Sequence, residues 1–434
     1  MKIVVTKQGK LQGKVMDGYT VFYGVPFAKP PIGELRFRLP QPPENYDGVR
    51  DASFLRERPW QPAQPLNTPC GKEFYFDPKY LPPMSENCLF VHIWTPARTP
   101  EERLPVAVWI HGGAFSKGFG TEVEFDGEGF CRRGVILVTV EYRLGPLGFL
   151  CYPDLDNERG IQGNYGIWDQ IAALHWVQDN IEAFGGDPKR ITIMGQSAGA
   201  ISVQILVLSG LIKKIVSGTI MQSGGGYPHP FYKGISKPQA EKNGILLAKL
   251  CGVNSLQNLK KIPAKQLTEA AEQLRVESGN LLFSPIIDGQ ILSDSLDHLV
   301  ESGNICRIPY LLGSNANDIG KNNSGENSLH CAAVGWGIQC NKLGKIPSYV
   351  YRFDRIPPGN DTETYQGAYH SAELWYVFET LSRSWRPFSE SDHLLSSKMA
   401  DYWCQFIKTG NPNGKGMREW HPCLSEKDVM IFDV

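Results

Sequence analysis

The chain has 434 residues, 41% of them hydrophobic and 21% charged, with a formal net charge of −1. Such a mixture can bury a sizeable core, and without a basic or acidic block it excludes nucleic acid and anionic membrane as electrostatic partners. The opening residues MKIVVTKQGKLQGKV lack the apolar core and cleavage site of a secretory leader, and no apolar run reaches the roughly 18 residues of a membrane span, so a soluble, cytoplasmic protein is expected.

In chain order, residues 2–25 alternate short β-prone runs with Gly and Asp-Gly, the pattern of antiparallel ribbons. The Pro-rich stretch 26–48 must be extended and irregular, because proline fixes φ and removes a donor. NCLFVHIWTP (87–96) reads as a further strand, and from residue 105 the rhythm becomes strand, loop, helix. LPVAVWI (104–110) and GVILVTVEY (134–142) are near-continuous apolar runs, as in strands buried on both faces. Residues 168–181 set Ile171, Leu174, Val177 and Ile181 on one helical face. RITIM (190–194), SGTIMQ (217–222), PYLLG (309–313) and SYVYRF (348–353) continue the strand series. A helical insert interrupts it, with Ser236 as N-cap, Gly252 as stop and Pro263 in the first turn of a second helix. The short segment 320–327 reads as flexible. Alternation of this kind predicts an α/β fold with a mostly parallel sheet covered on both faces, as one domain over 1–434 carrying a helical cap at about 227–284.

The chemistry centres on Gly195-Gln196-Ser197-Ala198-Gly199, which follows a buried strand and opens a helix. A tight turn there presents the serine for attack, and the flanking glycines leave room for backbone and substrate. The bland alternative, a turn or N-cap serine, does not account for that context. Gly112-Gly113-Ala114, at the end of another buried strand, reads as a loop that turns N–H groups inward. Gly113, Ala114 and Ala198 are therefore the expected oxyanion donors.

A serine nucleophile needs a base that titrates near neutrality, and the order serine, acid, histidine restricts the choice. His92, His111 and His175 precede the serine, and His229 and His298 precede the best acid candidate. His393 lies in a polar helical region and His421 in the tail, whereas His370 follows a strand through a loop and precedes a helical pattern. For the acid, GSNANDIG delivers Asp318 from a strand end, with Asp354 and Glu326 as rivals. No CxxC pair occurs among the ten cysteines, so no zinc site of the usual spacing is expected, and no metal or other cofactor is called for.

These stretches, with YGVPFAKPPIGELRFRLP, SENCLFVHIWTP, VEYRLGPLGF, the run GNYGIWDQ through GQSAGA, SPIIDG and GAYHSAELWYVF, resemble the type-B carboxylesterase family, which includes bacterial para-nitrobenzyl esterases and, more distantly, cholinesterases. The resemblance covers nearly the whole chain. It implies an α/β-hydrolase fold, hydrolysis of small to medium carboxylic esters through an acyl-enzyme, and no cofactor. By the same resemblance Ser197, His370, Gly113, Ala114 and Ala198 take the family's catalytic and oxyanion positions. Asp318 stands in a slot usually held by Glu, so loop 314–319 must approach His370 more closely or share a tighter hydrogen bond. Ser371 stands where glycine is common, a change expected to matter little. The segment from Asp318 to the strand before His370 is shorter than in the family, which predicts a more open cleft. Cys88 resembles a half-cystine of secreted relatives and Cys70 lies 18 residues before it, but without a leader two free thiols are favoured. The aromatic stretch 71–81 is a candidate lining for the entrance. The expected partner is a small-molecule ester, with no nucleic acid or membrane and a monomer favoured. Two alternatives stand beside this reading: a feruloyl- or acetyl-type polysaccharide esterase, and a non-catalytic binding protein on the same fold.

Overall fold

A ten-stranded sheet forms the centre of the computed structural model, which describes residues 2–153, 162–322, 324–359 and 365–434. Its strands are β1 (Lys14–Val15), β2 (Thr20–Pro26), β3 (Phe90–Thr95), β4 (Leu104–Ile110), β5 (Ile136–Val140), β6 (Gly186–Gln196), β7 (Val216–Gln222), β8 (Tyr310–Asn315), β9 (Ser348–Phe353) and β10 (Met430–Phe432). Their spatial order is β10-β9-β8-β7-β6-β4-β5-β3-β2-β1. Every pairing from β5 to β10 is parallel. The pairings of β5 with β3, β3 with β2 and β2 with β1 are antiparallel, as the ribbon pattern of the N-terminal quarter predicts. A separate small sheet joins Ile3–Val5, Lys10–Gln12 and Val49–Asp51.

The apolar runs become central strands because both faces are covered. Val106, Val108 and Ile110 of β4 face one core cluster, with Ile136 and Val138 of β5. Ala107 and Trp109 face the other, with Leu137, Trp375 and Trp403. Helix α1 (Tyr165–Asn180) starts three residues before its predicted position. It buries the expected Ile171, Leu174 and Val177, and also Asp169. That carboxylate is matched by Arg143, whose Nε and Nη2 donate to its two oxygens at 2.8 and 2.7 Å. Burial of the bidentate pair is tolerable because both charges are compensated.

Helix α2 (Ala198–Ser209) follows β6 directly. The insert forms α3 (Lys237–Leu250) and α4 (Ala264–Ser278). Ser236 and Pro263 both occupy the N-cap position, and Ser236 makes no side-chain cap hydrogen bond. α4 reaches the loop after β4, where Thr268 and Ala271 share a small cavity with Ala114 and Ser116. Between Asp318 and β9, helix α5 (Ser328–Lys342) begins at the end of the segment read as flexible; residue 323 of that segment lies outside the described residues. Among the described residues no helix is long and apolar enough to cross a membrane.

Candidate active site

At the end of β6, Ser197 adopts φ 55° and ψ −125°, a sparsely populated conformation that costs on the order of 1–3 kcal/mol. Its N–H donates to the Gln222 carbonyl at the end of β7, at 2.9 Å, which fastens the strained turn to the neighbouring strand. The two glycines are sterically required. A Cβ on Gly195 would lie 2.6 Å from the Gly199 carbonyl carbon, and one on Gly199 only 2.0 Å from the Ile110 carbonyl oxygen. Helix α2 thus lies against the C-terminal end of β4, and the sequence pattern follows from that close approach.

The loop after β4 packs on the turn. Gly113 has φ 101°, and Ala114 and Phe115 have φ 56° and 57°, so the backbone runs through left-handed conformations. Gly113 and Ala114 N–H groups donate to no acceptor among the described residues, and Ala198, first in its helix, has the N–H that a helix leaves unpaired. All three predicted donors therefore flank the serine with uncommitted hydrogens.

Asp318 sits just past β8 and His370 just before a short helix (Leu374–Val377). Residues 360–364 of the loop leading to the histidine lie outside the described residues. The imidazole Nδ1 lies 2.5 Å from Asp318 Oδ1, and Asp318 Oδ2 accepts from the Asn315 N–H at 3.0 Å. The shorter acid reaches because the two loops are stitched together. Asn317 N–H donates to the Ala368 carbonyl at 3.0 Å and its Oδ1 accepts from the Ala368 N–H at 2.9 Å. Asn315 Nδ2 donates to the Tyr369 carbonyl at 2.6 Å. The other edge of the ring, Nε2, accepts from Gln196 Nε2 at 3.2 Å, which brings it to the residue beside Ser197.

Electrostatics follow this geometry. Burial raises the Asp318 carboxyl, but the adjacent imidazole and the Asn315 N–H outweigh it, and the group is held below the ordinary carboxylate range. Burial lowers His370, but Asp318 outweighs it and holds the ring above the ordinary histidine value. Behind them Glu373 accepts from Asn315 Nδ2 at 2.6 Å and Gln222 Nε2 at 3.2 Å. Burial and the nearby Asp318 push its carboxyl up to about 7. Sequence reasoning passed over Glu373, Asn315 and Gln222. Glu373 falls three residues after the histidine, within a helical pattern where an acid ordinarily signals a solvent face.

The other candidates lie elsewhere. Asp354 is paired with Arg352 at 2.7 Å, and Glu326 accepts from Asn322 on the surface at 2.9 Å. His393 is exposed, His421 is exposed beside Glu419, and His330, which also follows Asp318, faces Glu426 at 2.7 Å. His92 and His111 are buried against Glu141. His229 contacts the Gly224 carbonyl at 2.9 Å, and burial pushes it down to about 4. Ser371 takes φ 80°, the left-handed region that favours glycine, so the replacement expected to be neutral is strained.

A cavity of about 270 Å³ joins these groups, lined by Gly113, Ala114, Ser197 and His370. Cys70, Phe74 and Tyr75 also border it, so part of the aromatic stretch does face the site. Cys88 is buried in the core, and it and Cys70 are free thiols. Among the described residues no group of three or more potential metal ligands is found.

The Carboxylesterase family profile matches residues 1–330 and 326–433. The chain belongs to the carboxylesterase family. It is an α/β-hydrolase and an enzyme that hydrolyses carboxylic esters. It is 32% identical to the para-nitrobenzyl esterase of Bacillus subtilis, over 100% of this chain and 95% of that protein. Against a cocaine esterase of Homo sapiens it is 31% identical over 99% and 87%. A solved thermophilic PNB esterase superposes with a TM-score of 0.86 at 30% identity, covering 100% of this chain and 96% of the other. The two profile matches meet at residues 326–330, inside the segment that reads as short for this family.

Proposed function

We propose that Ser197, His370 and Asp318 are the catalytic triad of this esterase, with the N–H groups of Gly113, Ala114 and Ala198 as its oxyanion site. The observation that carries the reading is the Asp318–His370 contact at 2.5 Å, with the ring's other nitrogen at the turn that holds Ser197. Asp318 keeps the proton on Nδ1, which leaves the Nε2 lone pair free to act as base. The Gln196 amide holds that lone pair in the free enzyme and yields it to the serine when substrate seats; such hydrogen bonds often tighten only in the complex.

Ser197 Oγ attacks the ester carbonyl carbon while Nε2 takes its proton. The carbonyl oxygen becomes an oxyanion facing the three N–H groups, each worth about 2.7–4 kcal/mol in comparable sites. Collapse breaks the bond to the alcohol oxygen, which leaves with the proton from Nε2. Water then attacks the acyl-enzyme by the same route and releases the acid. Asp318, anionic and buried, stabilises the imidazolium in both halves.

Small to medium esters fit a cavity of about 270 Å³. Relatives named for esters as unlike as para-nitrobenzyl esters and cocaine support a broad range. Residues 1–434 act as one catalytic unit, with the helices of 227–284 covering one side of the oxyanion loop. Ser197→Ala should lower para-nitrophenyl acetate turnover by on the order of 10⁶-fold if the triad acts as a unit. A fluorophosphonate should add one adduct to the wild type, at Ser197, and none to the variant. Full activity in the alanine variant would end this reading.

A further inference from the structure

The cavity that holds Ser197 has an acidic wall, and it plays no part in the chemistry above. Glu122 and Glu124 both line the cavity, on the loop that follows the oxyanion turn. They are 7% and 3% exposed, so neither is a solvated surface acid. Glu122 accepts from the Tyr75 hydroxyl and feels the charges of Arg58 and Lys117. Lys117 Nζ itself is held by Gln64 Oε1 at 3.0 Å and Cys70 Sγ at 3.6 Å. Glu124 is different: its Oε2 is buried and has no hydrogen-bond partner.

Glu141 Oε2 is likewise unpaired, but Glu141 does not line the cavity, and three other buried acids are satisfied. Glu73 accepts from Arg386, Tyr369 and Trp375. Asp169 has Arg143, and Asp392 has Arg355 and Tyr376. A buried polar atom left without a partner is costly, and one that belongs to a cavity wall can be met by a donor that enters the cavity. Burial raises both cavity carboxyls, Glu122 to about 7 and Glu124 well above its ordinary range, and their mutual repulsion adds to the rise in Glu124. An entering ammonium supplies both the missing donor and the missing positive charge. A neutral alkyl group supplies neither and leaves Oε2 unpaired.

We propose that esters bearing a protonated amino group are this enzyme's preferred substrates, the ammonium docking on Glu124 and Glu122 while the ester carbonyl meets Ser197. The proposal rests on the reading of Ser197 as nucleophile. The cavity, at about 270 Å³, lies just below the usual range of about 300–1,000 Å³ for ligand pockets, which favours a compact amine. The amine can reach the acids from the acyl or from the alcohol half of the ester.

Two isosteric pairs distinguish those sources. One compares the acetate esters of para-(aminomethyl)phenol and para-ethylphenol. The other compares the para-nitrophenyl esters of para-(aminomethyl)benzoic and para-ethylbenzoic acid. In at least one pair the wild type should favour the ammonium member by on the order of ten- to a hundredfold in kcat/KM, as a charge-assisted hydrogen bond implies. Glu124→Gln should collapse that ratio towards one, and Glu124→Met serves if the glutamine variant does not fold. A ratio cancels any general loss of activity. No preference in either wild-type pair overturns the proposal, and so does a preference that survives replacement of Glu124. Failure of the Ser197 reading looks different: no serine-dependent turnover of para-nitrophenyl acetate at all.

Discussion

Asp318→Asn is the most informative single change, because the structure dictates what an amide can do there. Asp318 accepts three times, from His370 Nδ1 and the Ile319 N–H through Oδ1 and from the Asn315 N–H through Oδ2. Asparagine has one acceptor oxygen and an NH₂ that only donates, so at least one contact must fail. If its oxygen keeps His370, its NH₂ faces the Asn315 N–H, and a buried donor is left unpaired at a cost of about 1–3 kcal/mol. If the amide flips, its NH₂ meets Nδ1, which must then be unprotonated, and the ring's proton moves to Nε2. That tautomer cannot accept the proton of Ser197. The second arrangement costs only the acceptor of the Ile319 N–H, which belongs to an exposed residue, and should prevail, so kcat should fall on the order of 10⁴-fold, as in other triads that lose the acid's charge. Release of para-nitrophenolate, with folding checked by circular dichroism, measures it. Asp318→Glu should be milder, because the carboxylate is kept. If Asp318→Asn retained more than about a tenth of wild-type kcat, the tautomer argument, and Asp318 as the acid, would be wrong.

Four further outcomes are expected. Because Asp318 holds His370 above the ordinary histidine range, kcat/KM should fall with decreasing pH through a midpoint above about 6.5, and Asp318→Asn should shift it lower; a profile flat down to about pH 5 would contradict this. Gly199→Ala places a methyl 2.0 Å from the Ile110 carbonyl oxygen, where neither backbone can yield, and should cost at least about 3 kcal/mol in denaturant unfolding. Gly210→Ala, with φ 70° and nothing within 4 Å, should cost only about 1 kcal/mol. Ser371→Gly relieves a left-handed serine and should stabilise the protein by up to about 1 kcal/mol, less the added freedom of glycine in the unfolded chain; a lower Tm would refute the strain at that position.

Much of the framework is local and therefore legible in the residues alone. The runs at 104–110 and 348–353 are apolar because both faces of their strands are covered, and a continuous apolar run reads that way without tertiary knowledge. Gly195 and Gly199 flank Ser197 because the turn has no room for a Cβ, a constraint confined to a few residues. Chain order and strand ends then favoured His370 as the base and Asp318 as the acid, with Asp354 and Glu326 left as rivals. The last strand, Met430–Phe432, has three residues and offered no pattern to read.

Tertiary structure alone decided which polar residues are interior. Glu373 lies 58 residues from Asn315 and 151 from Gln222, yet the three share one buried network behind the histidine. Periodicity reads a glutamate as surface, because a buried carboxyl is unfavourable unless partners from distant strands arrive with it. Glu124 escaped notice for the same reason, although for its Oε2 no partner arrives. The strain at Ser371 was equally hidden, since φ depends on how two distant loops are stitched by Asn315 and Asn317. Local sterics and apolar patterning act over a few residues and are written in sequence order; the compensation of buried charge acts through space and is set only when the chain has folded.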